Sequence, residues 1–97
     1  MITNTTGADN TAVGPDSMYD NTTGQKNAAF GKASLGDNTT GNNNVAIGPY
    51  SLRLNTTASY NTALGYQAGY AYNGALGSNT FIGFKSGKQS TGDSNTF

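Results

Sequence analysis

The chain contains no cysteine, no histidine and no tryptophan, and all of its carboxylate side chains are aspartates. Without cysteine there can be neither a disulfide framework nor thiolate ligation of a metal. Without histidine the commonest general base is missing, and the five aspartates are irregularly placed along the chain. We therefore predict that the protein is not an enzyme and that it holds no cofactor and no metal ion.

Large apolar residues are scarce as well, and the charges balance. Leucine, isoleucine, valine and phenylalanine together number 14 of 97 residues, too few for a conventional core. Five basic residues match five acidic ones, so nothing favours the phosphate backbone of a nucleic acid as a partner. Because no apolar run approaches the length of a membrane span, we also expect no insertion into a membrane.

What the chain does contain is a five-residue motif that recurs at a constant spacing. Asparagine, a small residue, alanine, a large apolar residue and glycine follow one another at four places, each 17 residues after the last. A fixed short period is typical of solenoids, in which a repeat cannot bury its own apolar face and must stack on its neighbours. The four copies occupy residues 10–14, 27–31, 44–48 and 61–65.

Within this motif the residues alternate between two environments, which predicts a short β-strand. Alanine recurs on one side, which must be tight, and larger residues recur on the other. Asparagine opens and glycine closes every run, which disfavours a helix, and the glycine suits a turn that needs positive φ. The tight side holds Ala12, Ala29, Ala46 and Ala63, and the roomy side holds Val13, Phe30, Ile47, Leu64 and Ile82.

The rest of each repeat predicts a second, weaker strand and a second turn. We place that strand around residues 17–18, 34–35 and 51–52, with degenerate versions at 68–69 and 86–87. Asn-Thr-Thr-Gly at 4–7, 21–24 and 38–41 then turns the chain, since asparagine and glycine readily adopt turn dihedrals. Two strands and two turns per repeat make one coil of an all-β, parallel, two-layered β-solenoid, or β-roll, with 17-residue coils.

Residues 1–97 are predicted to form a single repeat array of about five coils. The coil at 66–78 is irregular, because it is one residue longer and lacks the Asn-Thr-Thr signal. We expect such a change to re-aim a turn without breaking the stack. At the other end, residues 95–97 repeat residues 79–81 and stop within the motif, which indicates a fragment of a longer protein.

The row of large residues predicts an assembly of identical chains. On a thin roll these side chains would form an exposed apolar stripe, and such a stripe requires a partner. Identical chains set around an axis would bury it, and threefold closure would give a rod, although the sequence itself does not count the subunits. The residues assigned to the core of a homotrimer are Val13, Phe30, Ile47, Leu64 and Ile82.

Four tyrosines have two interpretations. Tyrosine combines a flat apolar body with a hydrogen-bonding tip, so Tyr60, Tyr66, Tyr70 and Tyr72 could form a sugar-binding or receptor-binding face. Alternatively, they are solvent-facing residues of a wet β surface, and this second interpretation is favoured.

The recurring asparagines also have two interpretations each. Asn10, Asn27, Asn44 and Asn61 could present a ligand array, but an internal ladder of amides bonded from coil to coil is favoured. The Asn-Thr-Thr sequences that begin at Asn4, Asn21, Asn38 and Asn55 match the N-glycosylation signal. Because they recur at the repeat period, turn geometry explains them better.

Two families share these motifs. Asn-Val-Ala-Ile-Gly at 44–48, followed by Ser51, resembles the head repeat of trimeric autotransporter adhesins, which implies a left-handed, trimeric, parallel β-roll. A closer resemblance covers almost the whole chain: Asn-Thr-Ala-Leu-Gly-Tyr-Gln-Ala at 61–68 and the Asn-Thr-Thr-Gly turns are similar to repeat regions of bacteriophage tail fibres. The departures are Phe81, which replaces the tight-side alanine, and the irregular coil.

The second resemblance implies a structural, receptor-presenting segment of a trimeric tail fibre that is part of the virion and extracellular. Its partners would be two further copies of the chain and a glycan or protein receptor on the host cell. The alternative is a head segment of a trimeric bacterial surface adhesin. A third hypothesis, ice binding, relies on two threonine rows, one at Thr5, Thr22, Thr39 and Thr56 and one at Thr6, Thr23, Thr40 and Thr57.

Overall fold

The computed structural model describes residues 4–74 and 76–89, and these form a parallel β-solenoid of about four turns. Five strands lie in one sheet whose order follows the chain, and each pairs in register with the strand one repeat further on. The all-β solenoid with coils of about 17 residues is thus confirmed. The strands are β1 (Thr11–Val13), β2 (Ala28–Phe30), β3 (Val45–Ile47), β4 (Thr62–Leu64) and β5 (Thr80–Ile82).

The inner face of the sheet is lined by the alanines of the motif. Ala29, Ala46 and Ala63 are fully buried, and Ala12 packs against the same core from the first described coil. Each alanine is the middle residue of its strand, so its neighbours in the strand point to the opposite face. The predicted tight side of the strand is therefore the interior of the solenoid.

The opposite wall of each coil consists of turns, so the predicted second strand is wrong. Met18, Leu35 and Leu52 have φ of 48–50°, which is the left-handed region and not an extended conformation. Successive backbone bonds close turns of four residues, as from the Ser34 N–H to the Gly31 oxygen and from the Asn38 N–H to the Leu35 oxygen. A single inward apolar residue does not distinguish a strand from such a turn.

The turn wall nevertheless bonds from coil to coil as regularly as the sheet. The N–H groups of Met18, Leu35 and Leu52 donate to carbonyl oxygens one coil further on, each over 3.0 Å. Their side chains are fully buried and meet the alanines of the sheet in one core. A fully buried Leu or Met side chain contributes about 1.5–3 kcal/mol relative to an exposed one. In each of these coils the core therefore consists of one large side chain from the turn wall and one alanine from the sheet.

A glycine column forms the corner between the sheet and the turn wall. At Gly48 φ is 122°, and a Cβ atom there would lie 2.7 Å from the carbonyl carbon of Gly65. Both the dihedral angle and this backbone approach exclude other residues. The predicted positive φ at the glycine that closes each motif is confirmed, and it lets consecutive coils stack backbone on backbone.

The irregular coil at 66–78 adds one residue without interrupting the stack. The offset between hydrogen-bonded partners is 17 residues at Thr56 and Asn73 but 18 at Ser59 and Gly77. The extra residue therefore lies between Asn73 and Gly77, and Ala75 in this interval is outside the described residues. Strands β4 and β5 still pair in register at the new offset. The partial repeat predicted at 95–97 also lies outside the described residues.

Phe81 occupies the inward alanine position of β5, and glycines face it from the turn wall. Gly69 and Gly87 hold the wall position that carries Met or Leu in earlier coils, and a Cβ atom on either would come within 2.2–2.7 Å of the Phe81 ring. Tyr72 packs beside it, with ring centroids 5.8 Å apart. The large and small core residues have exchanged sides in this coil, which keeps the core filled.

Candidate functional site

The roomy side of the strands forms a continuous apolar stripe on the outer face of the sheet. Its members are paired directly with one another from coil to coil through the strand register. Their relative exposure is 40–56%, which is high for large apolar side chains that follow one another without interruption. The apolar stripe consists of Val13, Phe30, Ile47, Leu64 and Ile82.

The stripe results directly from strand alternation. The third residue of every three-residue strand must face away from the alanine in the middle. Parallel pairing without a shift then aligns these residues in one column along the length of the described solenoid. Such an array is suited to packing against a second apolar surface of similar length, and all five residues assigned to a trimer core lie in it.

A second candidate surface is an aromatic face on the C-terminal coils. Tyr66 and Phe84 are stacked, with ring centroids 5.5 Å apart and planes 15° from parallel. Tyr50 meets Tyr66 edge-on at 6.1 Å and also contacts Tyr70 at 6.4 Å. Lys85 and Lys88 place their ammonium groups over the rings of Phe84 and Tyr70 at 5.0 and 5.9 Å, which is within the range of cation–π attraction.

The aromatic face differs from the predicted set of tyrosines. Tyr66 and Tyr70 belong to it, but Tyr72 is fully buried against Phe81 in the core and cannot contact a receptor. Tyr60 is 66% exposed at the left-handed position before Asn61. Phe84 could have been found from sequence, because it follows Gly83 as Tyr66 follows Gly65. Tyr50 carries no such signal.

The asparagines that open each motif form the predicted internal ladder. The side-chain oxygen of each accepts a bond from the backbone N–H of the next, with distances of 2.8–3.1 Å from Asn10 to Asn79. The amide groups of Asn27 and Asn44 donate to carbonyl oxygens of the neighbouring turn. The row is buried from Asn27 onward. These side chains hold coils together and are not presented to a ligand.

A second amide ladder runs through the Asn-Thr-Thr turns. Asn21, Asn38 and Asn55 are fully buried, and each donates both to the side-chain oxygen of the preceding coil's asparagine and to a carbonyl three residues ahead. Burial places these three amides out of reach of a glycan. The interpretation of the sequons as turn elements is therefore confirmed for them.

The two threonine rows are not equivalent. The hydroxyls of Thr5, Thr22 and Thr39 donate to backbone oxygens one coil further on, over 3.1 Å. These hydroxyls are therefore part of the internal bonding of the solenoid. Thr6, Thr23, Thr40 and Thr57 form a single exposed row. Of the two rows on which the ice-binding hypothesis relies, one therefore has three hydroxyls that already donate within the solenoid.

The described residues offer neither a metal site nor a membrane-spanning helix. Within the described parts of the chain, no three acidic, cysteine or histidine side chains are grouped so that they could hold a metal ion. No helix there is long and apolar enough to cross a membrane. Comparison with protein-family models, with curated proteins and with solved structures gave no match.

Proposed function

We propose that the chain is a structural, receptor-presenting segment of a trimeric bacteriophage tail fibre that takes part in attachment to the host cell. The observation that carries this proposal is the apolar stripe, which runs unbroken along the outer face of the sheet. Because isolated solenoids gain nothing from such a column in water, its burial against identical columns explains why every repeat retains it.

Identical partners suit the stripe because its repeat distance is that of the coil itself. A second copy in parallel orientation presents large side chains at the same spacing, so that contacts recur in every coil. Closed symmetry around an axis buries all the stripes at once, whereas an open arrangement would leave terminal stripes exposed. A rod of this kind presents three copies of each outer surface, which raises the avidity of weak contacts with a cell surface.

The choice of a tail fibre depends on the resemblance of residues 61–68 and of the Asn-Thr-Thr-Gly turns to tail-fibre repeats. The adhesin head is the second candidate, and one feature favours it. The serine that follows the motif in the adhesin pattern has a structural role here, since Ser51 donates its hydroxyl to the Gly48 oxygen over 2.8 Å. Flanking regions of the parent gene product separate the two: a virion-attachment region or terminal chaperone indicates a fibre, whereas a signal peptide and membrane anchor indicate an adhesin.

The assembly is tested by replacing one stripe residue with a charged one. We expect Ile47→Asp to dissociate or unfold the assembly, because a buried carboxylate without a partner is strongly destabilising. The unaltered chain should sediment with three times its 10.0 kDa mass. Sedimentation equilibrium and thermal melting measure both effects.

Asn43→Asp is the matched control for Ile47→Asp. Asn43 is exposed on the same coil and has φ of 57°, and the equivalent residue of the first coil is already an aspartate, Asp9, with φ of 58°. This variant should therefore assemble and melt like the parent. A stable monomeric parent chain, or unchanged assembly and melting of Ile47→Asp, would contradict the proposal.

A further inference from the structure

An open groove of about 420 Å³ lies on the turn wall and spans the first three described coils. Its floor includes Ala33 and Gly36, both of which are buried. Tyr19 lines the groove from the coil before these two residues, and Tyr50 lines it from the coil after them. The volume of the groove lies within the usual range of small-molecule sites. The groove is separate from the apolar stripe, none of whose residues line it.

The groove exists because one coil lacks a side chain that its neighbours have. The repeat position occupied by Gly36 holds Tyr19 in the preceding coil and Arg53 in the following coil. The side chain of Arg53 lies over this gap, with its Cδ and Nε atoms 3.0 Å from where a Cβ of Gly36 would be. The Arg53 guanidinium forms an ion pair with Asp37, which fixes one rim of the groove.

The remaining lining groups are polar, and the ring of Tyr50 is fixed in position. Asp16, Asp20 and Lys32 supply hydrogen-bond acceptors and donors. Tyr50 is held by ring contacts with Tyr66 and Tyr70, so its orientation does not depend on a ligand. Preorganised groups of this kind lose less conformational entropy on binding than free side chains do.

We propose that this groove binds an uncharged sugar ring of a cell-surface glycan, and this inference rests on the proposed attachment function. A hexose offers hydroxyls that donate to the aspartates and accept from lysine and tyrosine, and its apolar ring face suits a tyrosine ring. An acidic sugar is disfavoured, because three carboxylates line the groove against two cations and Arg53 is already paired with Asp37. Lys32 alone remains to balance an added carboxylate.

Titration by NMR with matched sugars tests the ligand class. The probes are the methyl glycosides of glucose and galactose and, for each, the uronate in which a carboxylate replaces the primary alcohol. We expect at least one hexoside to shift resonances of groove residues and its uronate to bind several-fold more weakly. Absence of shifts at millimolar hexoside, or uronate binding that equals or exceeds hexoside binding, would overturn the proposal.

Filling the groove tests its location. Gly36→Tyr restores the residue that Tyr19 provides one coil earlier. Gly36 does not have a positive φ, but a Cβ there would lie 3.0 Å from Arg53 Cδ and 3.1 Å from the Ala33 oxygen, so the Arg53 side chain must shift and the melting midpoint should fall slightly. We expect this variant to keep the circular dichroism spectrum of the parent and to lose the shifts, and Tyr19→Ala to weaken binding without affecting the fold. Tyr60→Ala, at an exposed position outside the groove, is the control and should bind as the parent does.

Sedimentation of the same samples separates this proposal from the proposed function. Sugar binding by a monomeric chain would contradict the trimeric rod and leave the groove assignment in place. A trimer that binds none of the hexosides would contradict the groove assignment and leave the rod in place. Retained binding by Gly36→Tyr would show that the sugar binds elsewhere.

Discussion

At the scale of single residues, asparagine is the side chain on which this fold depends most. Its amide carries a donor and an acceptor, so one side chain can bond to the coil before it and to the coil after it. Asn38 uses both, since it donates to Asn21 over 2.8 Å and accepts from Asn55 over 3.0 Å. The ladder stops where Tyr72 takes the next asparagine position, and the Asn55 oxygen is left buried with no hydrogen-bond partner among the described residues.

Replacing an asparagine within this ladder should therefore cost much more than replacing one at its end. Asn38→Ala removes three hydrogen bonds. The Asn21 side-chain oxygen loses its donor, the Asn55 amide loses an acceptor, and the Gly41 carbonyl oxygen loses the bond from the Asn38 amide. Each unsatisfied buried group costs about 1–3 kcal/mol. We expect the free energy of unfolding to fall by about 3 kcal/mol or more, measured by urea denaturation.

Asn4→Ala is the control at the exposed first rung of the same ladder. It removes the acceptor of the Asn21 amide and a bond to Gly7, but water can replace a partner at this exposed position. The loss should stay near 1 kcal/mol, the usual net value of one hydrogen bond. Equal losses in the two variants would show that the ladder is not a principal source of stability.

At the scale of the elements, each strand and the turn wall facing it share one fixed volume. In the second described coil Ala29 of β2 shares the core with Leu35 of the wall, and in the last one Phe81 of β5 shares it with Gly87. Gly87 has φ of 56°, close to the 50° of Leu35, so the wall conformation is the same whichever residue is large. Volume and not backbone geometry decides which pairs of residues are allowed.

This exchange predicts strong coupling between the two positions. Phe81→Ala should lower the free energy of unfolding by about 3–5 kcal/mol through the cavity it leaves. Gly87→Leu should also destabilise, because its Cβ would lie 2.2 Å from the Phe81 ring. The double variant recreates the Ala29 and Leu35 arrangement, so it should be more stable than Phe81→Ala alone. A double-mutant cycle from urea denaturation measures the coupling, and additive effects would contradict the exchange.

The strands could be predicted from sequence because their signals are local. Alternation within the motif and the closing glycine place Ala46 inside and Ile47 outside, as observed. The turn wall could not be predicted in this way. Ser-Leu at 51–52 shows no alternation, and leucine is not a residue that usually signals positive φ. The wall conformation is determined by inter-coil bonds and by the core, neither of which a sequence window contains.

The candidate surfaces differ in how far each can be predicted from the sequence. The stripe follows from alternation and period alone. The aromatic face does not, since Tyr72 and Tyr66 look alike in sequence, and only the packing of Tyr72 against Phe81 separates a core residue from a surface one. The groove depends on Gly36, which lacks a side chain. This is noticeable only when the same repeat position is compared between neighbouring coils.

At the scale of the whole molecule, the solenoid is a stack in which each coil contacts its neighbours. The strands bond in chain order, and the ladders connect residues one repeat apart. Stability in such a stack is approximately the sum of terms for each coil and each interface. Removing a coil should therefore lower stability without changing the fold, provided that the register of the remaining coils is preserved.

Deletion of residues 28–44, one full repeat, tests this additivity. It joins Asn27 to Val45 and so reproduces the native Asn44–Val45 junction, which lets β1 pair with β3 in register. We expect unchanged ellipticity per residue by circular dichroism and a single melting transition. Its midpoint should fall by roughly 4–8 °C for each kcal/mol of unfolding free energy that is lost. Deletion of 28–45 is the control: it moves Ile47 to the inward alanine position, which reverses the faces of the strand, and should abolish the cooperative transition. If both deletions melt alike, the coils are not held in a common register and the additive stack is contradicted.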